Sequence, residues 1–301
     1  MRARTMVLIA IAALLAAAAA WVGWMVRFRP LTVFAWQERF ALRAGGLKRV
    51  VVPTPVGPQV AFVGGEGPVL VLLHGAGDQA GTWFRVAPAL ARTHRLIVPD
   101  LAGHGGSAPA AGPIEIRQVL EAAEAVIGRL ANGDRVALAG NSLGAWVAML
   151  IAQRHPERVA VAVCIDGGAI KGSNLHARIL PADREQARES VAQTRDPGSA
   201  PVPGFVLDDV VRQARVGPLA RFAATADTME AYTRSEAELA ALATPVGLIW
   251  GESDRLVPLD YAERMARALP HVKLFTIPKC GHVPQIECPD RLLAALRTAL
   301  E

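Results

Sequence analysis

Ser142 lies in Gly140-Asn141-Ser142-Leu143-Gly144, after the apolar run Arg135 to Ala139 and before the helical stretch Ala145 to His155. A serine on such a strand-to-helix turn is forced into a strained backbone conformation that thrusts its hydroxyl clear of the sheet. Strand and helix cross closely there, so the residues two before and two after must be small, and both are Gly. The plainer reading is a serine helix N-cap. As a nucleophile, the hydroxyl needs a base to take its proton. Of seven His residues only His282 has a suitable setting: it follows the strand-like run Val272 to Ile277 in the loop Lys279 to Pro284, before a final helix from about Asp290. The base in turn needs a carboxylate to hold its tautomer and stabilise the imidazolium. Asp254, just past the apolar run Pro245 to Trp250, is the first choice; Glu252 on the same loop and Asp166, after Val159 to Ile165, are rivals. His155, before Pro156, reads as a helix cap, and His94, His176 and His271 as surface positions.

These residues need a scaffold, and the apolar runs supply one. Residues 69–73, 94–98, 135–139, 159–165, 245–250 and 272–277 are short, Val/Leu/Ile-rich and almost continuously apolar, as strands covered by helices on both faces must be. Leu47 to Val52 and Gln59 to Val63, separated by Pro53, Pro55, Gly57 and Pro58, predict an antiparallel hairpin at the sheet edge. The fold class is α/β, a mostly parallel doubly wound sheet. The stretch between Asp166 and Pro245 is too long for a simple crossover. Its residues 169–241 alternate helical segments with breakers such as Pro197-Gly198-Ser199, Pro203-Gly204 and Gly217-Pro218, which predicts a helical cap inserted between core segments 47–168 and 242–301. Among its apolar residues, Phe205, Leu207, Leu219, Phe222, Met229 and Tyr232 must pack the cap or line a pocket.

With 301 residues, 52% of them hydrophobic, the chain can hold one large core and a small lobe. Thr5 to Val26 carries no charge, lies between Arg2, Arg4 and Arg27, Arg29, and is long enough to cross about 30 Å of hydrocarbon. A transmembrane anchor is expected; a cleaved signal peptide, giving a secreted product, is the competing reading. Residues 27–46 are then a juxtamembrane linker, lying along anionic headgroups or packed on the globular part. Charge follows the same division. Residues 1–49 hold eight Lys and Arg against one Glu, +7, which leaves −2 of the net +5 for the remainder. The basic character therefore belongs to the membrane-flanking segment, and no nucleic-acid partner is expected. Arg2 and Arg4 suggest an N-inside, single-pass topology with the globular part on the outer or periplasmic side. Cys164, Cys280 and Cys288 form no evident disulfide framework, although the last two are close enough to pair. No zinc spacing, phosphate loop or dinucleotide fingerprint occurs in a suitable context, so neither metal nor cofactor is expected.

From about Pro68 to Ala299 the chain resembles the α/β-hydrolase superfamily in its capped branch. The resemblance rests on Val69 to Gly75, Pro99 to Ser107, Gly140 to Gly144, Trp250 to Asp254 and Gly281-His282, in the family's order. With the apolar N-terminal segment, it is similar to membrane-anchored monoacylglycerol lipases and related carboxylesterases. The resemblance implies a Ser142–Asp254–His282 triad with an oxyanion hole from the backbone N–H groups of Leu143 and Ala76, Gly77 being the alternative to Ala76. It makes His74 a structural brace, Asp100 to Ser107 a scaffold loop, and His104 at most a site-shaping residue. The implied function is a membrane-tethered serine hydrolase acting on small carboxylic esters, preferably lipophilic ones, with membrane lipid met through the anchor. A carbon–carbon bond hydrolase of ring-cleavage products is the alternative activity, and a non-catalytic binding protein on the same fold is the rival from another class.

Overall fold

The computed structural model describes residues 2–172, 179–270 and 272–301, so His176 and His271 lie outside the described residues. Eight strands, β1 (Lys48–Val52), β2 (Gln59–Gly64), β3 (Val69–Leu73), β4 (Arg95–Pro99), β5 (Val136–Asn141), β6 (Val159–Ile165), β7 (Val246–Gly251) and β8 (Lys273–Ile277), form one sheet in the order β1-β2-β4-β3-β5-β6-β7-β8. β1 and β2 make the antiparallel edge hairpin, with Val52 opposite Gln59, and β2 meets β4 antiparallel. The remaining pairs are parallel. Several strands begin one residue later than the apolar runs suggest: β4 starts at Arg95, β5 at Val136, β7 at Val246 and β8 at Lys273.

The helices are α1 (Arg2–Phe28), α2 (Pro30–Ala44), α3 (Ala87–Leu90), α4 (Ile116–Leu130), α5 (Leu143–Arg154), α6 (Arg184–Gln193), α7 (Gly204–Val216), α8 (Pro218–Ala223), α9 (Glu236–Ala240), α10 (Leu259–Ala268), α11 (Pro284–Glu287) and α12 (Pro289–Ala299). Central strands alternate their side chains between two buried faces. Val69, Val71 and Leu73 pack with Val119, Leu120 and Val147 of α4 and α5. Leu70 and Leu72 pack with Trp83, Leu90, Leu292 and Leu296 on the other side. A strand buried on both faces must be apolar throughout, which is why β3 and β7 read as unbroken hydrophobic runs.

Helices α6 to α9 leave the sheet between β6 and β7 and are fastened back to it by polar contacts. Arg221 of α8 donates to the carbonyls of Gly103, Pro109 and Gly112, and Trp146 Nε1 of α5 donates to Tyr232 O at 2.9 Å. At the other end, Arg4–Phe28 is apolar and long enough to cross a membrane, and none of its most apolar window is buried. Of the two readings of the linker, α2 takes the packed one. Leu42 joins the core with Trp83 and Leu90, and Leu31 N at the start of α2 is capped by buried Asp209 of α7 at 3.0 Å. Its opposite face leaves Phe34, Trp36 and Phe40 exposed.

Candidate active site

Ser142 has φ +54° and ψ −113°, a conformation that L residues rarely adopt and that costs about 1–3 kcal/mol. Close crossing enforces it. A Cβ on Gly140 would stand 2.1 Å from Gly144 O, and one on Gly144 would stand 2.2 Å from Leu73 O. Gly167, after β6, is equally confined, since its Cβ would meet Ser142 Cα at 2.6 Å. Ser142 occupies the N-cap position of α5, yet its side chain makes no capping hydrogen bond and remains half-exposed. The hydroxyl is therefore free for something other than ending a helix.

Asp254 and His282 are both buried, and Asp254 Oδ2 lies 2.7 Å from His282 Nδ1. The other carboxylate oxygen accepts from Leu256 N at 2.8 Å and Val257 N at 2.9 Å, so the turn after β7 fixes the carboxylate with Oδ2 toward His282. With Nδ1 donating to Asp254, Nε2 is the ring nitrogen left to act as base. The His282 loop is tied from several sides. Asn141 Nδ2 donates to His282 O at 2.8 Å and to Ile165 O at 3.2 Å, which sets His282 beside the residue preceding Ser142. His282 N donates to Thr194 O at 2.9 Å, just beyond α6. Gly281 permits that contact, because a Cβ there would stand 2.4 Å from Thr194 O. Cys280 and Cys288, both buried, form a disulfide that closes the loop across His282, with Cα atoms 6.1 Å apart. Cys164 is a free thiol buried in β6, and burial raises it to about 12.

The rival carboxylates separate cleanly. Glu252 is exposed and accepts from Thr276 Oγ1 at 2.8 Å, away from the imidazole. Asp166 is fully buried and accepts from Gly251 N at 2.8 Å rather than from His282. Burial first, and the neighbouring Asp254 second, push its carboxyl well above the usual range.

Leu143 is the first residue of α5, so its N–H has no acceptor within the helix. The loop after β3 approaches the elbow closely: a Cβ on Gly75 would stand 3.3 Å from Ser142 Cβ. Ala76 is partly buried against the core, and Gly77, at φ +81°, faces Leu219 of α8. His74 braces this loop. Its Nδ1 bonds Gly75 O at 2.8 Å and its Nε2 accepts from Leu101 N at 2.9 Å, so no ring nitrogen is free to act as a base. Burial lowers it to about 4, and burial with His74 alongside lowers His104 to about 3, which keeps both imidazoles neutral. Asp100 is likewise structural, accepting from Ala80 N and Gly106 N at 2.8 Å and from Arg39 at 3.0 Å. His155 stands at the C-cap of α5 and His94 is half-buried beside Thr93; neither is near the site.

Residues 70–295, most of the chain, match the alpha/beta hydrolase family. The chain belongs to that family. This α/β hydrolase is 33% identical over 244 residues to a pimeloyl-[acyl-carrier protein] methyl ester esterase of Aromatoleum aromaticum, covering 74% of this chain and 94% of that one. It is 31% identical over 248 residues to a dihydrolipoyllysine-residue acetyltransferase component of an acetoin cleaving system from Pseudomonas putida. That match takes 78% of this chain and spans only 65% of the relative's length. Among solved structures, a membrane phospholipase A described as a bacterial virulence factor superposes with a TM-score of 0.76 at 26% identity, covering 98% of both chains. The chain is also 29% identical to a 2-hydroxy-6-oxononadienedioate/2-hydroxy-6-oxononatrienedioate hydrolase of Cupriavidus pinatubonensis, covering 74% of this chain and 83% of that one. The protein is thus a hydrolase of the α/β fold.

Two residues of the site carry no signal that reading the chain alone assigns to them. Asn141 sits inside the serine motif at a position where any residue satisfies the pattern, and its role depends on a partner 141 residues away. Gln285, fully buried, donates to Asn141 Oδ1 at 3.1 Å and supports it from α11. A polar residue closing an otherwise apolar strand is the available clue for Asn141.

Proposed function

We propose that this α/β hydrolase is a membrane-tethered serine hydrolase of small carboxylic esters, with lipophilic substrates preferred. The observation that carries the reading is the 2.7 Å Asp254–His282 pair, hung through Asn141 beside a serine on a strained turn that uses its hydroxyl for no cap. In the proposed mechanism, His282 Nε2 takes the Ser142 proton as the hydroxyl oxygen attacks the ester carbonyl. The N–H groups of Leu143 and Ala76 hold the oxyanion, with the α5 N-terminus adding its positive dipole end. Asp254 stabilises the imidazolium, which then protonates the departing alcohol. Water attacks the acyl-enzyme with His282 again as base, and the free acid leaves.

Helices of residues 169–241 serve as the cap in this reading, with Leu219 above Gly77 supplying an apolar wall near the oxyanion loop. Helix α1 serves as the anchor in this reading, and the exposed Phe34, Trp36 and Phe40 of α2 support a site held near lipid. A buried disulfide beside the site fits a compartment that keeps disulfides oxidised, which supports the outer or periplasmic side of the membrane. The test is hydrolysis of nitrophenyl esters and monoacylglycerols of graded chain length by the wild type and by Ser142→Ala. The reading expects turnover that rises with acyl length and is abolished in the folded variant. Full activity in Ser142→Ala would remove the nucleophile. Negligible turnover of every ester, with cleavage of a vinylogous 1,5-diketone, would replace ester hydrolysis by carbon–carbon cleavage.

A further inference from the structure

Asp166 is a buried carboxyl that the mechanism does not use. It follows β6 in a left-handed conformation, φ +47°, and its backbone N–H continues the sheet to Ile249 O at 3.0 Å. The peptide of Gly251 links it to the triad acid. Gly251 N donates to Asp166 Oδ1 at 2.8 Å, while Gly251 O accepts from Asp254 N at 3.1 Å. Asp166 Oδ2 is buried and has no hydrogen-bond partner in the resting geometry. Burial first, then the neighbouring Asp254 and, more weakly, Glu287 raise the Asp166 carboxyl well above its usual range. The remaining titratable group on Asp254 is His282.

Two buried carboxylates side by side cannot both be ionised cheaply. Asp254 has three donors to stabilise its charge, from Leu256, Val257 and His282. Asp166 has one, so the proton belongs on Asp166. A proton on Oδ2 turns an otherwise orphaned buried atom into a donor, and the neighbouring Asp254 carboxylate is the acceptor it would serve. We infer that Asp166 is a neutral, proton-bearing positioning residue whose carboxyl O–H faces Asp254 and sets how strongly Asp254 holds the His282 imidazolium. This rests on the triad reading above. Asp166 touches neither substrate nor imidazole. It acts by sharing its hydrogen with Asp254, moderating the basicity passed to His282 and holding the triad acid in place.

The experiment compares full-length wild type, Asp166→Asn and Asp166→Ala by kcat/KM between pH 5 and 9, with Ser142→Ala as the zero-activity control. Asn keeps an acceptor for Gly251 N and a donor for Asp254, so its acid limb overlays the wild type. Ala leaves Asp254 unshared, so the imidazolium is held more strongly and the acid limb moves up by up to about one pH unit, one charge-assisted hydrogen bond at the low end of its range. If Asp166 were ionised, Asp166→Asn would remove a negative charge and move the limb down, which overturns the proposal. Limbs unchanged in both variants, with only Tm lowered, leave a merely structural residue and also overturn it. Infrared difference spectra of wild type minus Asp166→Asn give a readout that does not depend on the Ala variant folding. A protonated-carboxyl C=O band at neutral pH supports the proposal and its absence refutes it. Residual activity in Ser142→Ala would instead refute the triad, leaving the infrared result to stand alone.

Discussion

Replacing Asn141 by Ala removes the side chain that binds the serine elbow to the histidine loop. Three hydrogen bonds disappear, but they do not cost the same. Ile165 O keeps its bond from Ser142 N at 2.9 Å. Gln285 Nε2 keeps only a long contact to Thr82 Oγ1 at 3.4 Å. His282 O loses the 2.8 Å donor and gains nothing. One buried acceptor left unsatisfied costs about 1–3 kcal/mol, and one weakened amide adds about 1 kcal/mol. The expected loss is therefore roughly 2–4 kcal/mol, about 3–6 °C in Tm for a chain of this size. Catalysis should fall further than stability suggests, because a shift of about 1 Å in a catalytic group can cost about 10²-fold. The assay is kcat and KM on a nitrophenyl ester well below the variant's Tm. The reasoning expects kcat to drop with KM little changed. A variant with lowered Tm and wild-type kcat would show that Asp254 and Thr194 alone hold His282, and would refute it.

Gly281→Ala puts a Cβ 2.4 Å from Thr194 O, backbone against backbone, so stability should fall by about 1–3 kcal/mol and activity with it; wild-type Tm and kcat would contradict the close approach. Glu38 of α2 is held up to about 8 by burial and by Asp78. Its proton stays bound in the fold while the unfolded chain has released it, so stability falls as pH rises from about 4.5 to 8. Glu38→Gln should flatten the Tm decline over that window, and parallel Tm profiles would refute the assignment. Reducing the Cys280–Cys288 disulfide should cost about 2.5 kcal/mol on the chain-entropy estimate for so short a loop and lower activity by loosening His282. Thiol titration of the denatured, unreduced protein should find Cys164 alone; three thiols would contradict the bridge.

What could be read from the chain is what local pattern determines. Unbroken apolar runs mark the central strands because both faces of β3 and β7 are covered. The paired glycines around Ser142 mark the elbow because strand and helix meet there at backbone contact. What could not be read depends on partners far along the chain. Asn141 and His282, Glu38 and Gln79, and Gly281 and Thr194 meet only after the sheet has closed. The same holds for Asp166. Spacing makes it a rival for Asp254, and its hydrogen bond to Gly251 N, set against that of Asp254 to His282, distinguishes a neighbour of the acid from the acid itself. Cys280 and Cys288 show the intermediate case, where short separation allows a bridge and the loop conformation decides it.

The central claim is that Ser142 is activated by His282. Labelling of the folded, full-length protein with a fluorophosphonate, mapped by peptide mass, tests it most directly. The account predicts a single adduct on Ser142 that is lost when His282 is replaced by Ala. Folded wild-type protein that takes no label, or takes it on another residue, would contradict it.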